Sequence, residues 1–337
     1  KPNLMPITTT PLTVEVMRGD LIESRHPVSA VVTDASGAIL HAWGDPERVT
    51  YPRSSSKPLQ ALPTVVSGAA NHFNLSEREV ALSCASHNSE PAHTSVVESW
   101  LNTIGMSVDA LECGTHWPIH EDSSYALARS GGEPCALHNN CSGKHSGFLT
   151  LAQFRGYDST NYISPQHPVQ VEVRAALEQM CNLSLENAPC AIDGCSVPNW
   201  GFPLRNFAQG LARLATGENL PEDWQAACKR IHQSMSANAF YIAGTGRSCT
   251  KVMELFKGRL ISKGGAEGVN AASIPEQGVG IALKTEDGTG RAAEVALVEV
   301  LSIIGMIPDD TAAWDELREP IVRNHRGFVT GKLRCVK

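Results

Sequence analysis

Residues 141–147 carry a thiol, two hydroxyls, an amine and an imidazole within a single turn of chain. Leu, Val and Phe fill a core at little cost, whereas each buried thiol, amine or imidazole needs a hydrogen-bond partner or a shifted pKa. Such crowding is therefore unusual for core packing. It indicates a functional site and raises the question of which of these groups takes part in chemistry.

A second reactive pair lies upstream, where Ser54 and Lys57 are three positions apart. On a helix the two side chains share a face, and an amine kept neutral by burial can take the proton of a serine hydroxyl. The motif alone is weak, because Ser54 could simply cap the following helix. Pro58 also disfavours helical geometry at Lys57, so the pair is expected at a helix entrance.

Two later fragments support the interpretation of Ser54 and Lys57 as a catalytic serine with its base. Penicillin-recognising Ser-x-x-Lys enzymes also carry Ser-x-Asn and Lys-x-Gly motifs in that chain order, and this chain has Ser86 with Asn88, then Lys263 with Gly265. Lys263 follows a probable strand and could form a second Ser–Lys pair with Ser86. Gly264 lacks the hydroxyl of a Lys-Thr-Gly motif, so a bulky β-lactam is a poor substrate candidate.

The elements that must position these groups form a mixed pattern. Residues 29–34 and 38–43 predict two strands around a tight turn. Residues 278–284 with the turn at 286–290 predict a second hairpin, and the stretch 291–305 that follows could begin as strand and end as helix. Helix signals fill the middle, including a capping box at Ser76 and a start at His167. We therefore expect an α/β (α+β) fold in which both chain ends build one antiparallel sheet around an inserted helical lobe.

This pattern predicts a single catalytic domain over residues 1–337. Its sheet lobe is expected at about 10–50 and 240–305, and its helical lobe at about 55–240. The chain has 337 residues, 42% of them hydrophobic, and a formal net charge of -7. It can bury a substantial core and has no general basic surface, so we expect a small-molecule substrate and no nucleic acid. No stretch is apolar and long enough to predict a membrane span.

Ten cysteines lie scattered without a repeating frame, which favours a reducing, cytoplasmic location over a disulfide scaffold. Two histidines, His116 and His120, have a spacing that would suit a metal on a helix, but Pro118 between them makes a loop the more natural prediction.

Taken together, these motifs resemble the class 3, rhizobial-type L-asparaginases over the whole chain. The resemblance is carried by residues 52–57, 84–89, 140–147, 193–195 and 263–268, and residues 140–147 with the later Asp-Gly-Cys are its most specific part. It implies a β-lactamase/penicillin-binding-like fold, a homodimer and hydrolysis of L-asparagine to L-aspartate and ammonia. It also implies two catalytic Ser–Lys pairs, Ser54 with Lys57 and Ser86 with Lys263, and we take Ser54 as the first choice of nucleophile.

The resemblance further implies a zinc ion held by Cys141, Lys144 and Cys195. Chemical preference alone would choose Cys141, His145 and Cys195, because zinc favours cysteine, histidine and carboxylate. Lysine can ligate only as the neutral amine, which requires a lowered pKa, and burial and a metal both act in that direction. We follow the resemblance.

Four further residues are predicted to bind or orient the substrate: Arg53, His145, Asp193 and Cys249. A structural ion pair for Arg53 and a buried structural thiol for Cys249 are the simpler alternatives. Two other functions stay open, a zinc hydrolase in which metal-bound water attacks and a non-catalytic zinc or amino-acid-binding module. Asparagine and glutamine differ by one methylene, and no motif reports the pocket depth that would separate them.

Overall fold

The computed structural model describes residues 8–337. Strands form in the order β1 (Leu12–Arg18), β2 (Leu21–Asp34), β3 (Ile39–Trp43), β4 (Val49–Thr50), β5 (Cys190–Ile192), β6 (Pro198–Trp200), β7 (Phe202–Pro203), β8 (Ile261–Gly264), β9 (Val269–Ile274), β10 (Val279–Thr285), β11 (Ile321–Arg323) and β12 (Val329–Val336). Most of the main sheet therefore comes from the two ends of the described chain.

Helices occupy the long middle segment and return near the end. They are α1 (Lys57–Gln60), α2 (Leu62–Val66), α3 (Ala69–His72), α4 (Glu77–Ser83), α5 (Pro91–Thr103), α6 (Glu121–Arg129), α7 (Ser142–Arg155), α8 (Pro168–Cys181), α9 (Leu204–Thr216), α10 (Glu222–Ala237), α11 (Ala239–Ala243), α12 (Ser248–Phe256), α13 (Gly290–Ile303) and α14 (Thr311–Arg318). Within residues 8–337 none of these helices has the length and apolar character needed to cross a membrane.

The main sheet has eight strands in the order β11-β12-β1-β2-β10-β9-β8, with β3 also paired to β2. All its named pairings are antiparallel. β2 is central because its first half pairs with β1 while its second half pairs with both β3 and β10. The prediction of an antiparallel sheet built from both chain ends around a helical insert is confirmed.

Three boundaries differ from the sequence prediction. The sheet continues beyond residue 305, because β12 pairs with β1. The stretch after the 286–290 turn is helix α13 from its start, and the late hairpin joins β9 to β10 instead. The helical segment also runs past 240, since α12 ends at Phe256. Apolar residues such as those of α13 fit a buried helix and a buried strand equally well, which explains the misassignment.

Local signals fixed the helix starts. Ser76 forms a capping box with Glu79 before α4, and the imidazole of His167 accepts a hydrogen bond from Val169 N at the start of α8. These two predictions are confirmed. The α4 cap matters for the site because α4 ends just before Ser86 and determines where that serine lies.

A glycine allows α9 to pack tightly on the sheet. A Cβ on Gly280 of β10 would overlap the carbonyl oxygen of Ala208 and lie 2.5 Å from Ala212 N, both backbone atoms of α9. We expect Gly280→Ala to lower the free energy of unfolding by about 3 kcal/mol, because neither backbone can yield cheaply. Chemical denaturation of both proteins would measure this difference in the free energy of unfolding. Gly290→Ala, where no atom lies within 4 Å, is the control, and equal effects of the two substitutions would contradict the packing argument.

Candidate active site

A small cavity opens where the helical insert meets the edge strand β8. Its volume is about 240 Å³, and it brings together residues far apart in the chain: Ser54, Ser86, Asn140, Arg247, Ser248, Cys249, Gly264, Gly265, Ala266, Val269, Asn270, Gly290, Ala293 and Glu294. A larger cavity of about 670 Å³ shares Ser248 and Glu294 with it but contains neither Ser54 nor Ser86. The smaller cavity is therefore the candidate active site.

Two lysines meet at the hydroxyl of Ser86. Lys57 Nζ lies 2.9 Å from Ser86 Oγ, and Lys263 Nζ lies 2.9 Å from the same oxygen. Ser86 is fixed by its backbone, since its N–H donates to the carbonyl of Ile242 at 2.9 Å. All three side chains are buried. A hydroxyl held between two amines has the base that a serine nucleophile needs.

The predicted Ser54–Lys57 pair is not formed. Lys57 begins α1 directly after the 3₁₀ turn Arg53–Ser56 and is completely buried, so its amine needs polar partners away from solvent. It donates to the carbonyl of Ala85, to Ser86 Oγ and to Cys141 Sγ, the last at 3.1 Å. Ser54 lies on the same cavity but has no hydrogen bond to either lysine.

Lys263 has the properties of a proton acceptor. It lies on β8, and its pKa is lowered to about 7, chiefly by burial and then by the charge of Lys57. Its amine also donates to the carbonyl of Gly264 at 2.6 Å, which fixes its direction. An amine with a pKa near 7 is neutral in a large part of the molecules at neutral pH and can accept a proton from Ser86.

The turn before Ser54 is strained and firmly held. Arg53 has φ 51°, in the left-handed region that non-glycine residues enter at a cost of about 1 kcal/mol or more. The carbonyl of Pro52 accepts hydrogen bonds from the N–H and the hydroxyl of Ser55. Arg53 Nε donates to Asp193 Oδ1 at 2.7 Å. This ion pair joins the strained turn to the loop that carries Cys195.

Asp193 and Arg53 neutralise each other. Burial alone would raise the pKa of Asp193, but the charges of Lys144 and Arg53 outweigh it and the pKa is lowered. Neither residue lines the 240 Å³ cavity. Their predicted role in substrate binding stays a prediction, and the structure gives them a clear role in joining two loops.

The three predicted metal donors converge. Cys141 immediately precedes α7, Lys144 lies in its first turn, and Cys195 lies in the turn between β5 and β6. Lys144 Nζ is 2.9 Å from Cys195 Sγ, while the thiol of Cys141 donates to Asn140 Oδ1 at 3.2 Å and accepts from Lys57 Nζ at 3.1 Å. Gly143 lets α7 approach α4, because a Cβ there would overlap the carbonyl oxygen of Leu82.

The three predicted donors differ in their protonation states. Interaction with the neighbouring Cys141 thiol, together with the Lys144 charge, holds the pKa of Cys195 well below its usual value, whereas interaction with Cys195 and burial raise the pKa of Cys141 to about 12. Burial lowers the pKa of Lys144, but Cys195 and Cys141 outweigh it, and the net pKa is raised. Without a metal, Lys144 is therefore an ammonium, contrary to the lowered pKa expected from burial.

The chemically preferred set with His145 is not assembled. Within residues 8–337 no three His, Cys, Asp or Glu side chains are grouped closely enough to hold a metal ion. His145 Nδ1 lies 2.7 Å from the hydroxyl of Tyr162, and burial holds its pKa well below its usual value, so the ring is neutral. Two cysteines and Lys144 remain as a buried set that fits zinc once Lys144 and Cys141 lose their protons.

Cys249 and the two histidines of the 116–120 segment complete the sequence candidates, and the predicted substrate-binding role of Cys249 stays a prediction. Cys249 is buried at the cavity wall, where its sulfur accepts from Gly264 N at 3.1 Å. His116 accepts a hydrogen bond from Asn140 N at 2.9 Å, and His120 caps α6. The two histidines thus lie in a loop, as predicted, and form no pair suited to a metal.

Sequence reasoning missed the two charged residues of the cavity wall, Arg247 and Glu294. It also left out Asn88, whose amide oxygen accepts from Arg247 Nη1 at 2.9 Å. Asn88 belongs to the Ser-x-Asn motif, so that motif was a usable signal. Arg247 and Glu294 belong to no motif and lie on separate elements, and only the fold brings them to the serines.

A serine hydroxyl in contact with two buried lysines is typical of serine hydrolases in which an amine acts as the base. The family model described as L-asparaginase II matches residues 14–335, and the chain belongs to this family. No curated protein matches the chain significantly.

Several solved structures match the chain at low identity. Mglu in its native form is 13% identical, with 84% of this chain and 66% of that chain covered and a TM-score of 0.49. A β-lactamase from Mycobacterium bovis is 14% identical, with 81% of this chain and 93% of that chain covered and a TM-score of 0.39. Simvastatin synthase from Aspergillus terreus is 10% identical, with 86% of this chain and 91% of that chain covered and a TM-score of 0.39. The chain spans 66% and 59% of two Mglu structures. With TM-scores this low, the fold class rests on the strand order of the chain itself.

Proposed function

We propose that this protein is an L-asparaginase that hydrolyses the side-chain amide of L-asparagine to L-aspartate and ammonia. Membership of the L-asparaginase II family supports an amidohydrolase. The observation that carries the chemistry is the contact of Lys57 and Lys263 with the hydroxyl of Ser86, each at 2.9 Å. The test is the release of ammonia and aspartate in equal amounts from L-asparagine, with L-glutamine compared in parallel.

The proposed reaction is acyl transfer through Ser86. Its Oγ attacks the amide carbon while the proton passes to the neutral amine of Lys263. The C–N bond then breaks, Lys263 returns the proton to the nitrogen, and ammonia leaves an aspartyl ester on Ser86. Water attacks the ester and gives a proton to Lys263, which returns it to Ser86 Oγ as L-aspartate is released. Lys57 holds the hydroxyl in place throughout.

Ser54 is the first choice of nucleophile from the sequence, and the hydrogen bonds favour Ser86 in its place. Ser54 faces the same cavity without a lysine partner, so in this proposal it contacts the substrate or its attacking water. Mass spectrometry of protein quenched during turnover distinguishes the two, since the aspartyl ester is found on the peptide that contains Ser86 or on the one that contains Ser54.

Zinc is proposed at Cys141, Lys144 and Cys195. When bound there it would supply positive charge that positions the substrate. The buried thiolate of Cys195 and its contact with Lys144 support this donor set. The homodimer and the cytoplasmic location stay predictions. A zinc hydrolase that uses metal-bound water is the competing reaction, and it requires full activity from a protein without Ser86 and Ser54 hydroxyls.

Activity is expected to depend on the protonation of Lys263. Its pKa is about 7, and only its neutral form accepts the Ser86 proton. The rate constant kcat/KM should therefore rise about tenfold per pH unit below pH 7 and level off above it. Steady-state assays between pH 5 and 9 measure this dependence of kcat/KM on pH. A profile that is flat across this range would contradict the role of Lys263 as base.

A further inference from the structure

Two opposite charges on the wall of the active cavity have no ionic partner. Arg247 and Glu294 both line it with Ser54 and Ser86. Among residues 8–337, neither has an oppositely charged side chain within 4 Å. Arg53 and Asp193, by contrast, are already paired at 2.7 Å. The cavity thus offers one cation and one anion to a ligand.

Arg247 is positioned by a dedicated set of contacts. Its Nη1 donates to Asn88 Oδ1 at 2.9 Å, which leaves its other guanidinium donors for a ligand. The loop before it is held by Glu90, whose carboxylate accepts from the N–H and the hydroxyl of Thr245, each at 2.8 Å. Gly244, with φ 105°, lies against Glu90 and Asn88 where a side chain would not fit. Such support is typical of a side chain held ready for binding.

Glu294 approaches the cavity from α13. It makes no side-chain hydrogen bond to another described residue, and it stands on the wall shared with the larger cavity. Its side chain stays exposed to solvent at the cavity wall. Partial loss of hydration raises its pKa, while the charges of Arg247 and Lys251 act in the opposite direction. The charge of Arg247 therefore affects the pKa of Glu294, yet the two side chains are too far apart to form a direct ion pair.

We propose that Arg247 binds the α-carboxylate of the substrate and Glu294 its α-ammonium group, with the side-chain amide directed towards Ser86. This inference rests on the proposed function. A free amino acid carries both charges on one carbon, so a cation and an anion on one small cavity match it. Charge-assisted hydrogen bonds and a bidentate guanidinium–carboxylate contact give both affinity and orientation. This pair of side chains, here called the Arg247–Glu294 clamp, selects free amino acids over amides that lack either charge.

The test uses equilibrium binding by calorimetry with three probes at one pH: L-aspartate, succinate, which lacks the ammonium, and β-alanine, which lacks the α-carboxylate. The unmodified protein should bind L-aspartate most tightly. Glu294→Gln should weaken L-aspartate binding about tenfold or more and leave succinate unchanged, and Arg247→Gln should weaken L-aspartate and leave β-alanine unchanged. Glu254→Gln and Lys251→Gln, on the larger cavity only, are the charge-matched controls.

Charge-selective loss in the two variants supports the clamp. The clamp is overturned if L-aspartate fails to bind, if the three probes bind equally, or if each variant weakens all probes alike. Ammonia release from L-asparagine is measured separately on the same preparations. Ammonia release together with unselective binding would overturn this inference alone, whereas selective binding without ammonia release from any amide would overturn the proposed function alone.

Discussion

Replacing Ser86 with alanine is expected to lower kcat on L-asparagine by about 10³-fold or more. The hydroxyl is the single point that both Lys57 and Lys263 contact, so its loss removes the activated oxygen and leaves the two amines without their shared partner. Removal of a nucleophile or its base costs other hydrolases at least this much. Steady-state ammonia release measures the change, and unchanged melting of the variant shows that the fold persists.

A matched control for this substitution lies three residues earlier, at the last position of α4. Ser83 is also buried, and its hydroxyl donates to the carbonyl of Val80 at 2.6 Å. Ser83→Ala should alter stability slightly and leave kcat within a few-fold of its original value. Ser54→Ala completes the set, because it distinguishes the role of Ser54 from that of Ser86. Near-normal turnover of Ser86→Ala with loss of turnover in Ser54→Ala would return the nucleophile to Ser54.

Substitution of Cys195 by serine should lower the affinity for zinc by at least about 100-fold. Cys195 supplies the one thiolate of the donor set, and a serine hydroxyl is a far poorer zinc ligand at neutral pH. The variant should be isolated with little or no zinc by metal analysis. Zinc binding to the unmodified protein should also release protons, because Cys141 and Lys144 hold theirs in the absence of the metal.

Cys113 provides the control for metal loss. Its thiol is buried in the same neighbourhood, where it makes a weak hydrogen bond of 3.6 Å to the carbonyl of Ala136. Cys113→Ser should keep a full complement of zinc. Equal metal loss in the two variants, or zinc binding without proton release, would contradict the donor set of Cys141, Lys144 and Cys195.

The parts of the fold that the sequence predicted are those with strong local signals. The capping box at Ser76 and the hairpin of β2 and β3 need only neighbouring residues to be recognised. β12 was missed because its burial pattern carries little apolar alternation, with Leu333 as its only fully buried residue. Its pairing with β1 depends on a strand more than 300 residues away, which no local window can report.

The same distinction holds for the site. Motifs identified Ser86 and Lys263 as a pair, and the structure brings them into contact. The partner of Lys57 could not be read from its spacing to Ser54, because a fully buried amine takes the acceptors that the surrounding fold offers, here Ala85 and Cys141 as well as Ser86. The charge on Lys144 likewise depends on the nearby thiolate, which lies 51 positions further along the chain.

The order in which the chain is made bears on when these groups can meet. Ser86 contacts one lysine 29 positions before it and another 177 positions after it, and β1 waits for β12, the last strand, to occupy its outer side. A growing polypeptide can therefore fold its helical insert early, while the paired amines must await β8 and the outer side of β1 must await β12. Contacts of such long sequence separation form slowly. A partly synthesised chain that has not yet reached Lys263 would carry the Ser86 hydroxyl without its second amine, and so would have no assembled nucleophile.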